Sequence, residues 1–357
     1  MFIVREPSKP SYYNDEMSLV KLNKAALFHN ISVLQERAGT ARIAAVLKDN
    51  AYGHGLAPIA ALCAEAGIRA AVVRTAKDAE AIAPLFGEVL ALADLPSAAG
   101  NAPNVSFALN DLGAIAHFGA GAAAHIKIDS GMHRNGIDIA DLENAMAELT
   151  DRGVAVRGVF SHLRAADVLS SEFFWQEKNF AAARKRVLSI CERRNLPKPA
   201  FHLYNSAALL RSRHAHEFDL VRPGIALYGY SDLPALFNPP PLKPVLSLWA
   251  DRISRRAMKS GFRVGYGGVG RIDGDAAASV YDIGYGDGFL RLNGTEGYRT
   301  PCGKRLLGRV SMDSVIIEGS EEQICLMDNA ETIAALRGTI SYEALVRLDA
   351  GIRRVVV

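Results

Sequence analysis

Ionisable and polar side chains recur at the carboxyl ends of short apolar segments in this 357-residue chain. An amine at the end of a buried strand is partly desolvated, which lowers its pKa and makes it a competent nucleophile toward a carbonyl carbon. Each residue alone also fits an ordinary interpretation, such as a solvated lysine, a structural histidine or an arginine paired with a carboxylate. Their recurrence favours one shared site, formed by Lys48, Lys127, Asp129, Arg134, His162, Asn205, Ser206 and Arg222.

The segments that must position these side chains alternate with helical patterns through the first two-thirds of the chain. The predicted strands are Ile43–Leu47, Ala70–Val73, Val89–Leu92, Val105–Ala108, Ala124–Ile128, Val156–Phe160, Phe201–Leu203 and Leu220–Val221. About eight β/α units are typical of a parallel (β/α)8 barrel of the TIM type, whose catalytic groups lie at the carboxyl ends of the strands. A doubly wound open sheet gives the same alternation, so the pattern leaves that alternative open.

The β/α alternation of the sequence ends at a proline-rich connector that begins at Pro239. Segments rich in β-branched residues and glycine follow, and they predict strands over Phe262–Tyr266, Ala278–Ile283, Arg305–Val310, Ser314–Glu318 and Ile352–Val357, with a helix near Tyr342–Leu348. The fold class is therefore predicted as α/β, with an N-terminal (β/α)8 barrel over 15–236 and a C-terminal mostly-β domain over 237–357. The N-terminal segment 1–14 could add a strand to the second domain.

Composition excludes several function classes. The net charge is only +3, and Lys and Arg are dispersed, so we expect neither a nucleic-acid partner nor an anionic membrane partner. No apolar run approaches the ~20 residues of a membrane span, and Met1–Pro10 lacks a signal-peptide core. The four cysteines are far apart without a C-x-x-C pair, so no metal site is predicted. These features predict a cytoplasmic protein.

The segment Val46–Gly55, which contains Lys48, resembles the cofactor-lysine motif of the alanine racemases, barrel enzymes that use pyridoxal 5'-phosphate. Asp49 stands where alanine is usual. The resemblance continues in order along both predicted domains, through Ile126–Arg134, Ser161–His162, Asn205–Ala207, Val221–Gly229, Val264–Gly267, Ile283–Gly288 and Gly308–Asp313.

The resemblance implies that the chain interconverts L-alanine and D-alanine by a two-base mechanism. Lys48 would hold pyridoxal 5'-phosphate as a Schiff base and then act as a base on the D face, while Tyr266 of the partner subunit would serve the L face. Inversion of a stereocentre is easiest with one acid–base group on each side. A homodimer with shared active sites is therefore expected.

The resemblance also implies cofactor contacts. Arg222 would face the pyridine nitrogen, where a permanent positive charge discourages protonation. The remaining cofactor contacts would come from Tyr52, His162, Ser206 and the backbone N–H groups of Gly224 and Ile225.

Further roles implied by the resemblance concern the substrate and the entrance. Arg134 and Met312 would bind the substrate, and Tyr285 and Asp313 would form an entrance gate, although interface packing would also explain the last two. Lys127 would carry a carbamate that orients Arg134, with a simple Lys127–Asp129 contact as the alternative.

Two features depart from a simple match. Ala350 replaces a tyrosine that usually contacts the phosphate, which predicts weaker cofactor retention. Gly265–Gly270 fits the string G-x-G-x-x-G of dinucleotide sites, but the turn-like residues after it predict no helix, so we interpret the match as coincidental.

Three alternatives remain open at this point. A racemase of serine or of wider specificity would share the fold, because one hydroxyl changes binding by only ~1–3 kcal/mol. A non-catalytic pyridoxal-phosphate carrier would resemble a lone barrel, which the predicted second domain argues against. A barrel decarboxylase is the third alternative. The sequence also leaves open whether the enzyme supplies D-alanine for cell-wall peptidoglycan or catabolises alanine.

Overall fold

The computed structural model describes residues 18–97, 101–212, 215–294 and 297–357. These residues form two compact units, one over Lys24–Val245 and the other over Leu246–Val357 together with the described residues before Lys24. The strands, in chain order, are β1 (Leu19–Leu22), β2 (Arg42–Val46), β3 (Ala70–Val73), β4 (Glu88–Ala91), β5 (Val105–Leu109), β6 (Ala123–Lys127), β7 (Ala155–Phe160), β8 (Ala200–His202), β9 (Leu220–Val221), β10 (Leu246–Met258), β11 (Arg263–Val264), β12 (Gly270–Arg271), β13 (Ala276–Tyr281), β14 (Val315–Glu318), β15 (Gln323–Met327) and β16 (Arg353–Val356).

The helices fall between the barrel strands and near the end of the chain. They are α1 (Lys24–Ala38), α2 (Leu56–Glu65), α3 (Ala76–Ile82), α4 (Leu142–Asp151), α5 (Glu172–Arg194), α6 (Ser206–Arg211), α7 (Ala330–Arg337) and α8 (Ser341–Val346). Short 3₁₀ helices lie at Ala83–Leu85, Leu112–His117, Ile139–Asp141, Ala215–Glu217, Ile225–Tyr228, Ala235–Phe237, Tyr266–Gly268 and Tyr285–Asp287. None of the helices in the described part of the chain has the length and apolar composition of a membrane span.

Strands β2 to β9 form a closed parallel barrel, which confirms the predicted (β/α)8 fold. The barrel closes where β2 pairs with β9, with Arg42 opposite Leu220 and Ile43 opposite Val221. An open sheet would leave these two strands as edges, so the doubly wound alternative is excluded. Strands β3, β5 and β6 are buried along their whole length, as expected for parallel strands that are covered on both faces.

The second unit is the predicted mostly-β domain. Its main sheet has the order β14-β13-β10-β1-β16, and β15 also pairs with β10. Strand β1 is parallel to β16 and antiparallel to β10, so a segment that precedes the barrel in sequence completes the sheet. The predicted segment 1–14 lies outside the described residues, and the predicted boundaries at 14/15 and 236/237 stay predictions.

The structure corrects details of this second unit. The prediction of a strand over Arg305–Val310 is wrong, because Gly308 has a φ of +76° and only isolated bridges form there. The predicted strand Phe262–Tyr266 shortens to β11, since Tyr266 begins a 3₁₀ turn. Strand β10, the longest of the sheet, lacks a continuous apolar pattern because its second half is largely exposed.

A buried amide joins α1 to the segments that follow the last barrel strand. Asn30 is fully buried, and its Nδ2 donates to the carbonyl oxygens of Leu227 (3.0 Å) and Lys243 (2.8 Å). Its Oδ1 accepts from the Lys243 backbone N–H at 2.8 Å. One side chain therefore satisfies one buried backbone group, at Leu227, and two partly buried ones at Lys243.

We predict that Asn30→Ala lowers the free energy of unfolding by about 2–4 kcal/mol, because each unsatisfied buried group costs roughly 1–3 kcal/mol. Urea unfolding at one fixed protein concentration would measure the loss. Gln35→Ala, at an exposed position of the same helix, is the matched control. A loss below about 1 kcal/mol would contradict the assigned role of Asn30.

Candidate active site

The chain makes an unusual turn directly after β2, at the residue predicted to bind the cofactor. Lys48 begins the single turn Lys48–Tyr52, in which Asp49, Asn50, Ala51 and Tyr52 all have φ between 52° and 55°. Left-handed backbone costs roughly 1–2 kcal/mol for each residue with a side chain. Strain of this kind is retained where the surroundings impose it, which is common at functional sites.

Hydrogen bonds hold the left-handed turn in place. The Asn50 Oδ1 accepts from the backbone N–H of Leu56 at 2.8 Å, and the Asn50 carbonyl accepts from Gly55 at 2.9 Å. The Leu47 N–H donates to the Val72 carbonyl at 2.8 Å, which continues the barrel ladder up to Lys48. Lys48 is half-buried, with its Nζ 5.8 Å from the centre of the Tyr52 ring.

Three hydrogen-bonding groups lie beside this turn: the Tyr52 hydroxyl, the Ser206 hydroxyl and the backbone N–H of Gly224. Tyr52 is buried, and a Cβ placed on Gly224 would lie 2.4 Å from its hydroxyl oxygen, so the absence of a side chain at Gly224 makes room for the phenol. The Ser206 Oγ accepts from the backbone N–H of Gly224 at 2.9 Å and of Ala226 at 3.2 Å. Burial, then the charge of Asp49, raises the pKa of Tyr52, so its hydroxyl remains a donor.

Arg222 lies inside the barrel end, just after β9. Its Nη2 donates to the carbonyl oxygens of Ser161 (2.6 Å) and Leu203 (3.3 Å), and its Nη1 donates to His202 Nδ1 (2.7 Å). Burial lowers the pKa of Arg222 to about 9, which still leaves the guanidinium charged at neutral pH. The group is thus held by three acceptors at the ends of two strands, β7 and β8.

His162 lies among the cations of the site. Burial first, and then the positive charges of four side chains, lower the pKa of His162 to about 3; these four are Arg222, Arg134, Lys127 and Lys48. His162 is therefore neutral at physiological pH and can take part only as a hydrogen-bonding group. The residues around it form an electropositive site suited to an anionic ligand.

Lys127 ends β6 with its side chain buried, while Arg134 lies in the loop that follows and is exposed. The Lys127 ammonium donates to Asn135 Oδ1. Asp129 instead accepts from the backbone N–H groups of Gly131 (2.9 Å) and His133 (3.0 Å) within its own loop. Burial and the charges of Arg134 and Arg222 lower the pKa of Lys127 to about 8, against a smaller opposing effect of Asp129.

The other predicted residues form a second set, within the unit that contains the β sheet. The Gly286 N–H donates to the Met312 carbonyl at 2.6 Å, and the Tyr285 N–H donates to the Ser311 carbonyl at 3.0 Å, so the loops of Tyr285 and of Met312–Asp313 pack together. Tyr266 and Met312 expose 68% and 62% of their surface. Neither side chain is therefore covered by the described part of the chain.

Two further sequence features can be located. Gly265–Gly270 forms a turn between the paired strands β11 and β12, and no helix follows it, so the dinucleotide interpretation is excluded. Ala350 is exposed, and its carbonyl accepts from Arg354 Nη1 at 2.9 Å.

Comparisons with known proteins cover most of both units. Residues 22–232 match the family model for the N-terminal domain of alanine racemase, and residues 245–356 match that for its C-terminal domain. The chain belongs to the alanine racemase family. It is therefore an amino-acid racemase.

Individual relatives agree with this membership. An alanine racemase of Nitratiruptor sp. is 45% identical over 339 residues, which are 95% of this chain and 99% of the relative. The crystal structure of the Bacillus anthracis alanine racemase with bound L-Ala-P superposes with a TM-score of 0.82 at 26% identity and covers 98% of this chain and 96% of its own. The Bartonella henselae alanine racemase, described with covalently bound pyridoxal phosphate, has the same fold, with a TM-score of 0.78 at 23% identity over 96% of this chain and all of its own.

Three residues that support the site were not among the residues predicted from the sequence. His202 and His125 are buried inside strands β8 and β6, and Asn135 contacts Lys127. A histidine within an otherwise apolar strand is a detectable signal, because burying an imidazole requires a partner. Nothing in the sequence indicated which partner each ring has.

The lowered pKa of Lys127 predicts a pH dependence of stability. Its ordinary pKa is 10.5 and its folded value is about 8, so between these pH values the unfolded chain binds more protons. The contribution of this side chain to stability therefore rises as the pH rises from about 8 toward 10.5. We expect the stability of Lys127→Met relative to the wild-type chain to fall between pH 7.5 and 9.5 in urea unfolding, measured in buffers free of carbon dioxide so that Lys127 keeps its free amine.

Lys77→Met, at an exposed position of α3, controls for the removal of a lysine in general. If the difference in the free energy of unfolding between Lys127→Met and the wild-type chain stayed constant over that pH range, the lowered pKa of Lys127 would be wrong.

Proposed function

We propose that this chain interconverts L-alanine and D-alanine with pyridoxal 5'-phosphate as its cofactor. The observation that carries the proposal is the position of Lys48, which follows barrel strand β2 and lies within the same electropositive site as Arg222, Arg134 and Lys127. An amine in such a site can react with an aldehyde, and the surrounding donors can hold the anionic remainder of that molecule.

The residues of the barrel end suit this cofactor. The cradle beside Tyr52 presents donors, which a phosphate requires: the Tyr52 hydroxyl, and the Ser206 hydroxyl, whose oxygen accepts from the Gly224 and Ala226 N–H groups and whose proton is left to donate. The backbone N–H of Gly224, which here donates to Ser206, and that of Ile225 would complete the cradle. When bound, pyridoxal 5'-phosphate supplies an aldehyde for the amine and a ring that withdraws electrons from the substrate α-carbon. Lys48 would hold the aldehyde end, with His162 contributing a neutral contact.

Arg222 would lie opposite the pyridine nitrogen. Its own hydrogen bonds to Ser161, Leu203 and His202 fix the guanidinium without using a carboxylate. Because the group stays charged at neutral pH, it disfavours a second positive charge beside it. The protein would thereby limit the electron withdrawal of the ring and favour racemisation over side reactions.

Two groups would move the α-proton. Lys48 Nζ would accept or deliver it on the D face, and the phenol of Tyr266 from a second subunit would do so on the L face. The exposure of Tyr266 on its own unit supports this assignment, because a phenol that acts on a neighbouring subunit has to project outward. The enzyme would therefore be a homodimer with shared active sites.

The remaining assignments concern the substrate. Arg134 and the backbone N–H of Met312 would bind it, while Tyr285 and Asp313 would narrow the entrance. The lowered pKa of Lys127 supports a carbamate at this position, since only the neutral amine reacts with carbon dioxide. The negative charge of the carbamate would then orient Arg134. The D-alanine formed would serve peptidoglycan synthesis or, in the reverse direction, alanine catabolism in the cytoplasm.

The first test compares small amino acids as substrates of the cofactor-loaded enzyme. We expect kcat/KM for L-alanine to exceed that for L-serine by about 10-fold or more, since a hydroxyl in a small apolar pocket is worth roughly 1–3 kcal/mol. Chiral chromatography of the products would measure both rates. Serine turnover at or above that of alanine would indicate a shifted specificity, and complete absence of racemisation would favour a non-catalytic carrier.

A second prediction concerns the shared site. Lys48→Ala and Tyr266→Phe should each be nearly inactive alone, whereas an equimolar mixture of subunits should recover about a quarter of the activity, because random C2 pairing restores one site in half of the dimers. Each variant mixed with itself under the same exchange conditions is the control. Failure of every mixture to recover activity, with exchange verified by mass spectrometry, would refute a site shared between subunits.

A further inference from the structure

Four side chains form a hydrogen-bonded chain through the interior of the barrel. Glu88 Oε1 lies 2.9 Å from His125 Nε2, His125 Nδ1 lies 2.9 Å from His202 Nε2, and His202 Nδ1 lies 2.7 Å from Arg222 Nη1. Glu88 begins strand β4, whereas Arg222 follows the end of β9. This row of hydrogen bonds therefore links the amino-terminal end of the parallel barrel to its carboxyl-terminal end.

The proton positions along this chain follow from its two ends. A guanidinium only donates, so His202 Nδ1 must accept and His202 Nε2 must carry the ring proton. His125 Nδ1 then has to accept that proton, and His125 Nε2–H donates to the carboxylate of Glu88. Both rings are consequently neutral, and every hydrogen bond points from Arg222 toward Glu88.

The surroundings hold both rings in these orientations. His125 and His202 are each 1% exposed. A Cβ placed on Gly158 of β7 would lie 2.2 Å from His125 Nδ1, so only glycine leaves space for this ring. The Phe160 ring stacks on His202 at 4.9 Å between centroids and 6° between planes. The two histidines of the hydrogen-bonded row are thus part of the packed barrel interior.

Glu88 provides the negative charge at the far end. Burial opposes its ionisation, but the interaction with His125 and the charges of Arg42 and Arg157 together hold the pKa of Glu88 below its usual value. Glu88, Arg42 and Arg157 all line one cavity of about 680 Å³. Among the described residues, Arg222 forms no ion pair with a carboxylate within 4 Å, and a hydrogen-bonded path connects it to the carboxylate of Glu88 through the two histidines.

We propose that Glu88 is a positioning residue for Arg222. Its carboxylate polarises the hydrogen bonds of His125 and His202, and this polarisation fixes the guanidinium at the barrel end. The effect on catalysis rests on the proposed function, in which Arg222 faces the pyridine nitrogen of the cofactor. Hydrogen bonds that share a direction strengthen one another, so removal of the charge at Glu88 weakens the hydrogen bonds of His202 as well.

Glu88→Gln tests the charge at constant shape, because the amide oxygen can still accept from His125. We expect the ring N–H resonances of both His125 and His202 to move upfield in ¹⁵N-histidine-labelled holoenzyme, and again in the protein without cofactor. A merely local role would change His125 alone. Gly158→Ala, which displaces the His125 ring and leaves Glu88 unchanged, should abolish the His202 signal of the same hydrogen bond.

The second readout is the ratio of pyruvate released to alanine racemised. In that side reaction the α-carbon of alanine would be oxidised to the keto carbon of pyruvate and its amino group would pass to the cofactor. The cofactor's aldehyde carbon would take up the two electrons and the α-proton, its oxygen would leave as water, and a second water would supply the keto oxygen. We expect about a threefold or larger rise of this ratio in both variants, because the hydrogen bond between Arg222 and His202 is weakened only in part. Glu148→Gln, at an exposed position of α4, should leave both readouts unchanged.

An unchanged His202 resonance in Glu88→Gln would overturn the proposal, and so would a moved resonance with an unchanged pyruvate ratio. The two hypotheses can fail separately. If the unmodified holoenzyme did not racemise alanine, the proposed function would fail, while the resonances of the protein without cofactor would still decide whether Glu88 acts on His202.

Discussion

The buried positive charge of Arg222 is the group around which the carboxyl end of the barrel is organised. Moving an ion out of water costs several kcal/mol unless hydrogen bonds replace its hydration shell. The barrel supplies acceptors from the segments that follow β7 and β8, and it adds His202 as a third. A permanent cation is therefore held at a defined position, where a lysine would lose its proton more easily.

The same constraint explains the composition of the barrel interior. A neutral histidine can accept from Arg222 on one side and donate on the other, so the positive charge needs no carboxylate at the site itself. The compensating charge of Glu88 lies at the opposite end of the barrel, beside Arg42 and Arg157. Because the carboxylate is distant, the end that contains Lys48 and Arg134 remains electropositive and suited to anions.

Local strain adds to this positioning. The left-handed turn after Lys48 places Tyr52 in the space left by Gly224, and hydrogen bonds from Leu56 and Gly55 to Asn50 hold the turn. Without closure of the barrel between β2 and β9, the segments of Lys48 and Gly224 would not meet. Closure and strain together define the cradle that we assign to the phosphate.

The linear sequence determined the fold class and the identity of the candidate site residues. Alternation of apolar segments and helical patterns is a local property, and blocks such as Val46–Gly55 or Val221–Gly229 are contiguous, so both can be detected without a structure. The pairing of β1 with β16, the closure of β2 on β9 and the chain from Glu88 to Arg222 required the tertiary structure. Their partners are far apart in sequence, with 37 residues separating Glu88 from His125 and 77 separating His125 from His202, and contacts at such distances leave no periodic pattern because only the folded backbone brings them together.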